Sequence, residues 1–198
     1  MRISGGRARG ISLISLSRRE LRPATGSLRE ALFSSLGAWI RDKSFLDLFA
    51  GTGSYGLEAL SRGARAGVFV ERNRRMAEIL RQNLQAVLKS LKISSSPCEV
   101  RCGDVWHFRS EQPFNLIFLD PPFVLSRSQA PSLLAHVLPL LQSGGRLAFE
   151  LPSDLAPPAH ESLSLLRRLG QTTGQGPSMA VYEKGEGSDH PHKRDLPH

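Results

Sequence analysis

The sequence predicts an α/β protein, with helices packed on both faces of a mostly parallel, twisted β-sheet. Three observations point there. Short apolar runs alternate with helical patterns along most of the chain, as strand–helix–strand units require. A glycine-rich run, Gly51-Thr52-Gly53-Ser54-Tyr55-Gly56, lies between the first such strand and the helix after it. From about Asn73 to Leu91, Met76, Ile79, Leu80, Leu84, Val87, Leu88 and Leu91 form one stripe, as in a helix laid on a sheet.

Taken in order, residues 1–22 are basic, rich in Ser and Gly, and carry Ile11, Leu13 and Leu16, which suits a twisted hairpin or arm that ends at Pro23. A catalytic-size domain follows over residues 23–184. It opens with a helix from Ser27 whose Leu28, Ala31, Leu32 and Leu36 share a face and which closes at Gly37. Phe45 to Phe49 reads as a strand, Leu57 to Arg62 as a short helix ended by Gly63, and Gly67 to Val70 as a second strand. After the long helix, a Ser-Ser-Ser-Pro turn at Ser94 to Pro97 leads to strands Glu99 to Cys102 and Phe114 to Leu119. A helix from Ala130 to Leu141, closed by Gly144 and Gly145, precedes strand Arg146 to Leu151. Ser164 to Leu169 and Met179 to Glu183 read as a final strand pair. Residues 185–198 lack apolar anchors and are expected to be a disordered tail.

Composition narrows the function. Hydrophobic residues at 40% and charged residues at 22% can build a core, yet no apolar run is long enough to cross a bilayer and no secretory signal opens the chain. Two cysteines, Cys98 and Cys102, make neither a disulfide framework nor a four-ligand zinc site, and His107 and His136 lack ligand partners at metal spacing. Reduced thiols and no metal fit a cytoplasmic protein. The net charge of +8 rests on 21 arginines and only five lysines, a balance that favours phosphate and base recognition. Arg2, Arg7, Arg9, Arg18, Arg19 and Arg22 crowd the first 22 residues against Glu20 alone, so this segment is expected to touch nucleic-acid phosphates.

Ligands of such sheets bind at the carboxyl ends of the strands. There Gly51, Gly53 and Gly56 complete a G-x-G-x-x-G run that lets backbone approach a ligand, and Glu71 ends the second strand where a carboxylate can take a ribose diol. These features alone also fit a nicotinamide-dependent oxidoreductase. Two carboxylates favour S-adenosylmethionine instead. Asp47, just before the glycines, suits an ammonium group and would repel a pyrophosphate, and Asp104 after the third strand can accept from an adenine amine. The expected cofactor set is Asp47, Phe49, Ala50, Gly51, Gly53, Glu71, Arg72, Asp104 and Val105.

The fourth strand runs into Asp120-Pro121-Pro122-Phe123. The prolines hold the chain extended and free carbonyls to accept, while Phe123 can stack on a base. A base amine is a poor nucleophile because its lone pair is delocalised. Acceptors on its N–H groups, here the Asp120 carboxylate and the Pro121 carbonyl, draw the nitrogen toward tetrahedral geometry and aim the lone pair at a methyl donor.

Asp120-Pro121-Pro122-Phe123 resembles the (D/N)PP(Y/F) signature of amino-group methyltransferases. The runs Arg22-Pro23-Ala24-Thr25, Arg29-Glu30-Ala31-Leu32-Phe33, Asp47 to Gly53 and Leu57 to Ala64, with the basic opening Met1 to Gly10, are similar to those of the bacterial 16S rRNA guanine-N2 methyltransferase family. Ala24 and Gly26 stand where that family usually has Thr and Asp, and Gly174 to Ser178 replaces its usual Gly-Asp-Thr. The resemblance implies a class I S-adenosylmethionine-dependent methyltransferase, a Rossmann-like three-layer sandwich whose seven-stranded, mostly parallel sheet has an antiparallel last strand. It further implies S-adenosylmethionine as donor and one guanine of 16S rRNA, free or in a small-subunit assembly particle, as acceptor. Asp120, Pro121, Pro122 and Phe123 would then hold the flipped guanine, and Arg2, Arg7, Arg9 and Arg22 would grip RNA phosphates. An N6-adenine methyltransferase, an oxidoreductase and a non-catalytic RNA-binding module are the competing readings.

Overall fold

The computed structural model describes residues 1–15, 23–171, 173–174 and 176–186. The strands are β1 (Ser44–Leu48), β2 (Ala66–Glu71), β3 (Cys98–Cys102), β4 (Phe114–Leu119), β5 (Leu141–Pro152), β6 (Leu163–Gly170) and β7 (Pro177–Lys184). The helices are α1 (Pro23–Leu36), α2 (Ser54–Ser61), α3 (Arg74–Leu91) and α4 (Phe123–Val137). Seven strands form one sheet in the order β3-β2-β1-β4-β5-β7-β6, and only β7 runs against its neighbours. The expected sheet, with its antiparallel last strand, is therefore present. The chain steps outward from β1 to β2 to β3 and then returns to the other side of β1 as β4, so the strand order reverses between β1 and β4. Right-handed crossovers then send α2 and α3 to one face and α4 to the other.

Strand residues alternate between two cores, one on each face. Phe45, Phe69, Phe118 and Ala148 pack under α1, α2 and α3, with Phe45 and Phe69 meeting edge-on at 5.3 Å. Leu46, Leu48, Val70, Ile117, Leu119, Leu147 and Phe149 pack under α4. Burial on both faces is why these strands read as continuous apolar runs.

Several element boundaries differ from the sequence reading. Helix α1 starts at Pro23 rather than Ser27, since a proline at the first helical position brings a preset φ and lacks only an N–H that would go unbonded there. Helix α4 starts at Phe123, directly after Pro122, well before Ala130. It kinks at Gln129 (φ −136°), two residues before Pro131, whose missing N–H and ring clash with the carbonyl four residues back break the helical ladder there. Gly144 and Gly145 do not close that helix. They lie inside β5, where the register against β4 slips from Phe114↔Leu141 to Leu116↔Arg146. A Cβ on Gly145 would stand 2.7 Å from the Gln142 carbonyl oxygen, so the bulge requires glycine.

The N-terminal residues form a hairpin, with an antiparallel bridge between Arg2 and Ser12 and hydrogen bonds from Ile3 N–H to the Ile11 carbonyl (3.0 Å) and from Gly10 N–H to the Ile3 carbonyl (2.9 Å). It is packed into the fold, with Ile3, Ala8 and Leu13 buried. Glu58 on α2, wholly buried, accepts from Ser4 N–H, Ser4 Oγ and Gly5 N–H, each at 2.8 Å. Asn83, buried on α3, holds the returning strand by accepting from Ile14 N–H (2.8 Å) and donating to the Ile14 carbonyl (2.9 Å). Cys98 is half-buried and its thiol is pushed up to about 12 by burial, while Cys102 is exposed; neither is in a disulfide. Among the described residues no helix is long and apolar enough to cross a membrane. Arg22 and the tail from residue 187 onward lie outside the described residues.

Candidate active site

The reversal of strand order between β1 and β4 places the loops after these two strands side by side at the carboxyl edge of the sheet. The chain leaves β1 through Phe49 in the left-handed region (φ +60°), followed by Gly51 (φ +57°) and Gly53 (φ +91°). A non-glycine residue in that region is strained, and such strain gathers where backbone must serve a ligand. The Ala50 N–H bonds the Val70 carbonyl (3.1 Å), which ties the loop to the end of β2. A Cβ on Gly53 would meet Leu80 on α3, so this glycine also lets the loop lie close to that helix.

Glu71 joins the glycine loop to α3. Its Oε2 accepts from Gly51 N–H (2.9 Å) and its Oε1 from Asn73 N–H (2.8 Å). Two of a carboxylate's four or so lone-pair positions remain, the number a ribose diol needs. Asn73 in turn caps α3, accepting from Arg75 and Met76 N–H. At the end of β3, Gly103 N–H bonds the Glu71 carbonyl (3.1 Å), and Asp104 Oδ1 accepts from Trp106 N–H (3.0 Å), leaving Oδ2 for a ligand. Apart from its own chain neighbours, no atom of the described residues lies within 4 Å of where a Cβ on Gly103 would be, so a planar ring has room there. Val105 is buried, and its carbonyl holds His136 Nε2 of α4 at 2.7 Å, which anchors this loop.

Asp47 is placed less openly than its sequence position suggests. It is 1% exposed, and its Oδ2 accepts from Gly56 N–H at 2.9 Å, inside α2. Burial raises its carboxyl to about 8, the Gly56 N–H lowers it and the charge of Glu71 raises it further. Without a cation beside it, Asp47 is therefore largely protonated at neutral pH.

On β4, Asp120 N–H bonds the Leu48 carbonyl of β1 (3.4 Å), so the acceptor loop is hydrogen-bonded to the base of the donor loop. Pro121 is buried, and Pro122 caps α4 with its carbonyl accepting from Leu125 N–H (2.8 Å) and Ser126 N–H (3.1 Å). The carbonyl of Pro122 is thus taken by the helix, whereas Asp120 and the Pro121 carbonyl precede it. Phe123 is half-buried at the first position of α4.

The arginines of the hairpin stand elsewhere. Arg7 N–H bonds the Ser61 carbonyl at the end of α2, and its guanidinium bonds the Leu91 carbonyl at the end of α3 (3.3 Å). Helices that connect parallel strands run back to the amino edge, so the turn carrying Arg7 and Arg9 lies at the opposite edge from Asp120. Arg2, in the bridge with Ser12, is exposed beside it. Arg72, Arg74 and Arg75, all exposed at the start of α3, do stand at the carboxyl edge, and the run Arg72-Asn73-Arg74-Arg75 is their sequence signal. Sequence reasoning also passed over Glu58, Asn83 and Glu150. All three are buried in the structure; Glu58 and Glu150 are lone polar residues between apolar neighbours, whereas Asn83 lies among Gln82 and Gln85 and gives no such signal.

The residues at the carboxyl edge fit S-adenosylmethionine. They offer a strained glycine loop for close backbone approach, a carboxylate with room for a diol, and a carboxylate beside an open glycine for an adenine. The family described as conserved hypothetical protein 95 matches residues 1–176. The chain is 41% identical over 141 residues to the ribosomal RNA small subunit methyltransferase D of Haemophilus influenzae, covering 69% of this chain and 71% of that protein. It is 38% identical over 152 residues to the protein of the same name in Escherichia coli K12, covering 76% and 71%. A solved structure of the candidate methyltransferase yhhF from Escherichia coli covers 94% of this chain and 99% of its own, at a TM-score of 0.74 and 30% identity. A match that begins in the N-terminal hairpin and runs to the edge of β7 takes in nearly the whole domain, and the chain belongs to this family as an S-adenosylmethionine-dependent methyltransferase.

Proposed function

We propose that the chain methylates the exocyclic N2 amine of one guanine in 16S rRNA, on free RNA or on a small-subunit assembly particle. The observation that carries this reading is the adjacency of the two loops. Asp120-Pro121-Pro122-Phe123 leaves β4 beside the glycine loop of β1, so an amine held by one faces a donor held by the other. Relatives at 38% and 41% identity named for the small-subunit ribosomal RNA support the choice of substrate.

Bound S-adenosylmethionine supplies an electrophilic methyl group that needs no further activation. The protein's work is on the other partner. Asp120 and the Pro121 carbonyl accept the N–H groups of the flipped guanine, and Phe123 stacks on its ring. As the amine gains its methyl group and loses a proton, the Asp120 carboxylate is the base at hand. Asp47, Phe49, Ala50, Gly51, Gly53, Glu71, Arg72, Asp104 and Val105 line or shape the donor side, and Arg2, Arg7, Arg9 and Arg22 contact RNA phosphates. Such a substrate places the enzyme in the cytoplasm.

The test is incubation with labelled donor and 30S particles lacking the modification, followed by digestion and mapping of the product. N2-methylguanosine at one position is expected. N6-methyladenosine would transfer the same chemistry to another base, and no methyl transfer to RNA would overturn the proposal.

A further inference from the structure

Tyr55 lies between the glycine loop and Gly56, the residue whose N–H holds Asp47. Its ring is buried (2% exposed) and stacked on Phe118 of β4, with centroids 5.6 Å apart and planes within 19°. Phe118 is two residues before Asp120 on the same strand. The Tyr55 hydroxyl donates to Glu150 Oε2 at 2.7 Å. Glu150 is wholly buried on β5, and because Leu119 pairs with Phe149, it stands level with Asp120 on the neighbouring strand and on the same face of the sheet. One side chain at the start of α2, directly after the donor loop, thus touches both β4, which leads into the acceptor loop, and β5 beside it.

We propose that Tyr55 is a positioning residue for methyl transfer, its hydrogen bond to Glu150 fixing the spacing between the donor loop after β1 and the acceptor loop after β4. A buried hydrogen bond adds direction to this packing, because it weakens steeply outside a narrow range of distance and angle. Burial and the negative charges of Glu150 and Asp120 hold the phenol well above its usual range, so it remains a donor across the physiological range. Transfer between two bound partners is sensitive to displacements of an ångström or less, and a residue that touches neither partner can govern the rate through their separation. The inference rests on the methyl-transfer reading above.

The test uses Tyr55→Phe, which deletes one oxygen and keeps the stack on Phe118. Turnover at saturating donor and RNA should fall at least tenfold. The dissociation constant for S-adenosylhomocysteine, measured by calorimetry, should stay within twofold of the wild type, and the thermal midpoint within a few degrees. Glu150→Gln keeps an acceptor oxygen for the hydroxyl and should retain more turnover than Tyr55→Phe. Turnover of Tyr55→Phe within twofold of the wild type, or a loss that only follows weaker donor binding, overturns the inference and leaves the function standing. A wild-type chain that transfers no methyl group to RNA overturns both.

Discussion

Asp47 shows how one carboxylate can set both stability and binding. Its group titrates near 3.8 when exposed and near 8 in the folded chain, chiefly because of burial. Between these values the folded state holds more protons than the unfolded state, so stability falls as pH climbs from about 4 to about 8 and is level above that. Asp47→Asn is neutral throughout and can still accept from Gly56 N–H. It should raise the thermal midpoint at pH 8, by a stabilisation of at most about 5 kcal/mol, and leave it unchanged at pH 4. A variant no more stable than the wild type at pH 8 would mean that Asp47 finds a compensating partner in the folded state. Asp120 is different in kind, half-exposed just after the end of β4. Asp120→Ala should lower turnover by about a hundredfold or more with donor affinity nearly intact, as separate turnover and calorimetric titrations would read.

At the scale of elements, the hairpin is held by α2 more than by its own bridge. Wholly buried Glu58 takes three hydrogen bonds from Ser4 and Gly5 and a fourth from Arg62 Nε at 2.8 Å, with Arg29 Nε at 3.7 Å. Gly6, at φ +78°, lies so close to Ser61 that a Cβ would collide with its carbonyl. Glu58→Ala leaves the buried Arg29 without its carboxylate and the hairpin without its anchor, so urea unfolding should report a loss of about 3–5 kcal/mol. Native-state trypsin should then cut at Arg7 or Arg9 faster than in the wild type. An unchanged cleavage rate would mean that Ile3, Ala8 and Leu13 suffice to hold the hairpin.

At the scale of the molecule, the surplus of cations is split between the two edges of the sheet. Arg72, Arg74 and Arg75 stand near the candidate site, and Arg7 and Arg9 stand at the far edge. Strands of five or six residues separate these edges by roughly 17–20 Å at about 3.3 Å per residue, so one RNA must be long enough to reach both. Replacing Arg7 and Arg9 by alanine should weaken binding to the small-subunit particle, with a salt slope flatter by up to about two units. The same change should leave binding of a short stem-loop with the target guanine within twofold. Equal losses on both substrates would place the hairpin turn near the base pocket and contradict its position in the fold.

Residues 45–49, 67–70 and 114–119 carry strands that sequence patterning locates to within a residue or two, because strands buried on both faces must be apolar throughout. The long helix is equally legible, since its stripe has one partner surface, and Asn73, the expected start, caps it in the structure. Glu71 and Asp104 were readable as strand-end carboxylates for the same reason that strand ends could be found. Other features were decided by packing alone. The extension of α4 back to Phe123 depends on where Pro122 directs the chain, and the bulge at Gly144 and Gly145 depends on the register against β4. No local pattern distinguishes a solvated basic arm from a hairpin clamped by a glutamate more than fifty residues away. Nor does it place Glu150 level with Asp120, or Tyr55 against both strands, since those relations follow from strand order. The amino-acid sequence by itself determines which segments pair with water and which with each other. Only the assembled sheet decides which polar groups share an edge, because neighbours there are set by hydrogen-bond register across strands rather than by distance along the chain.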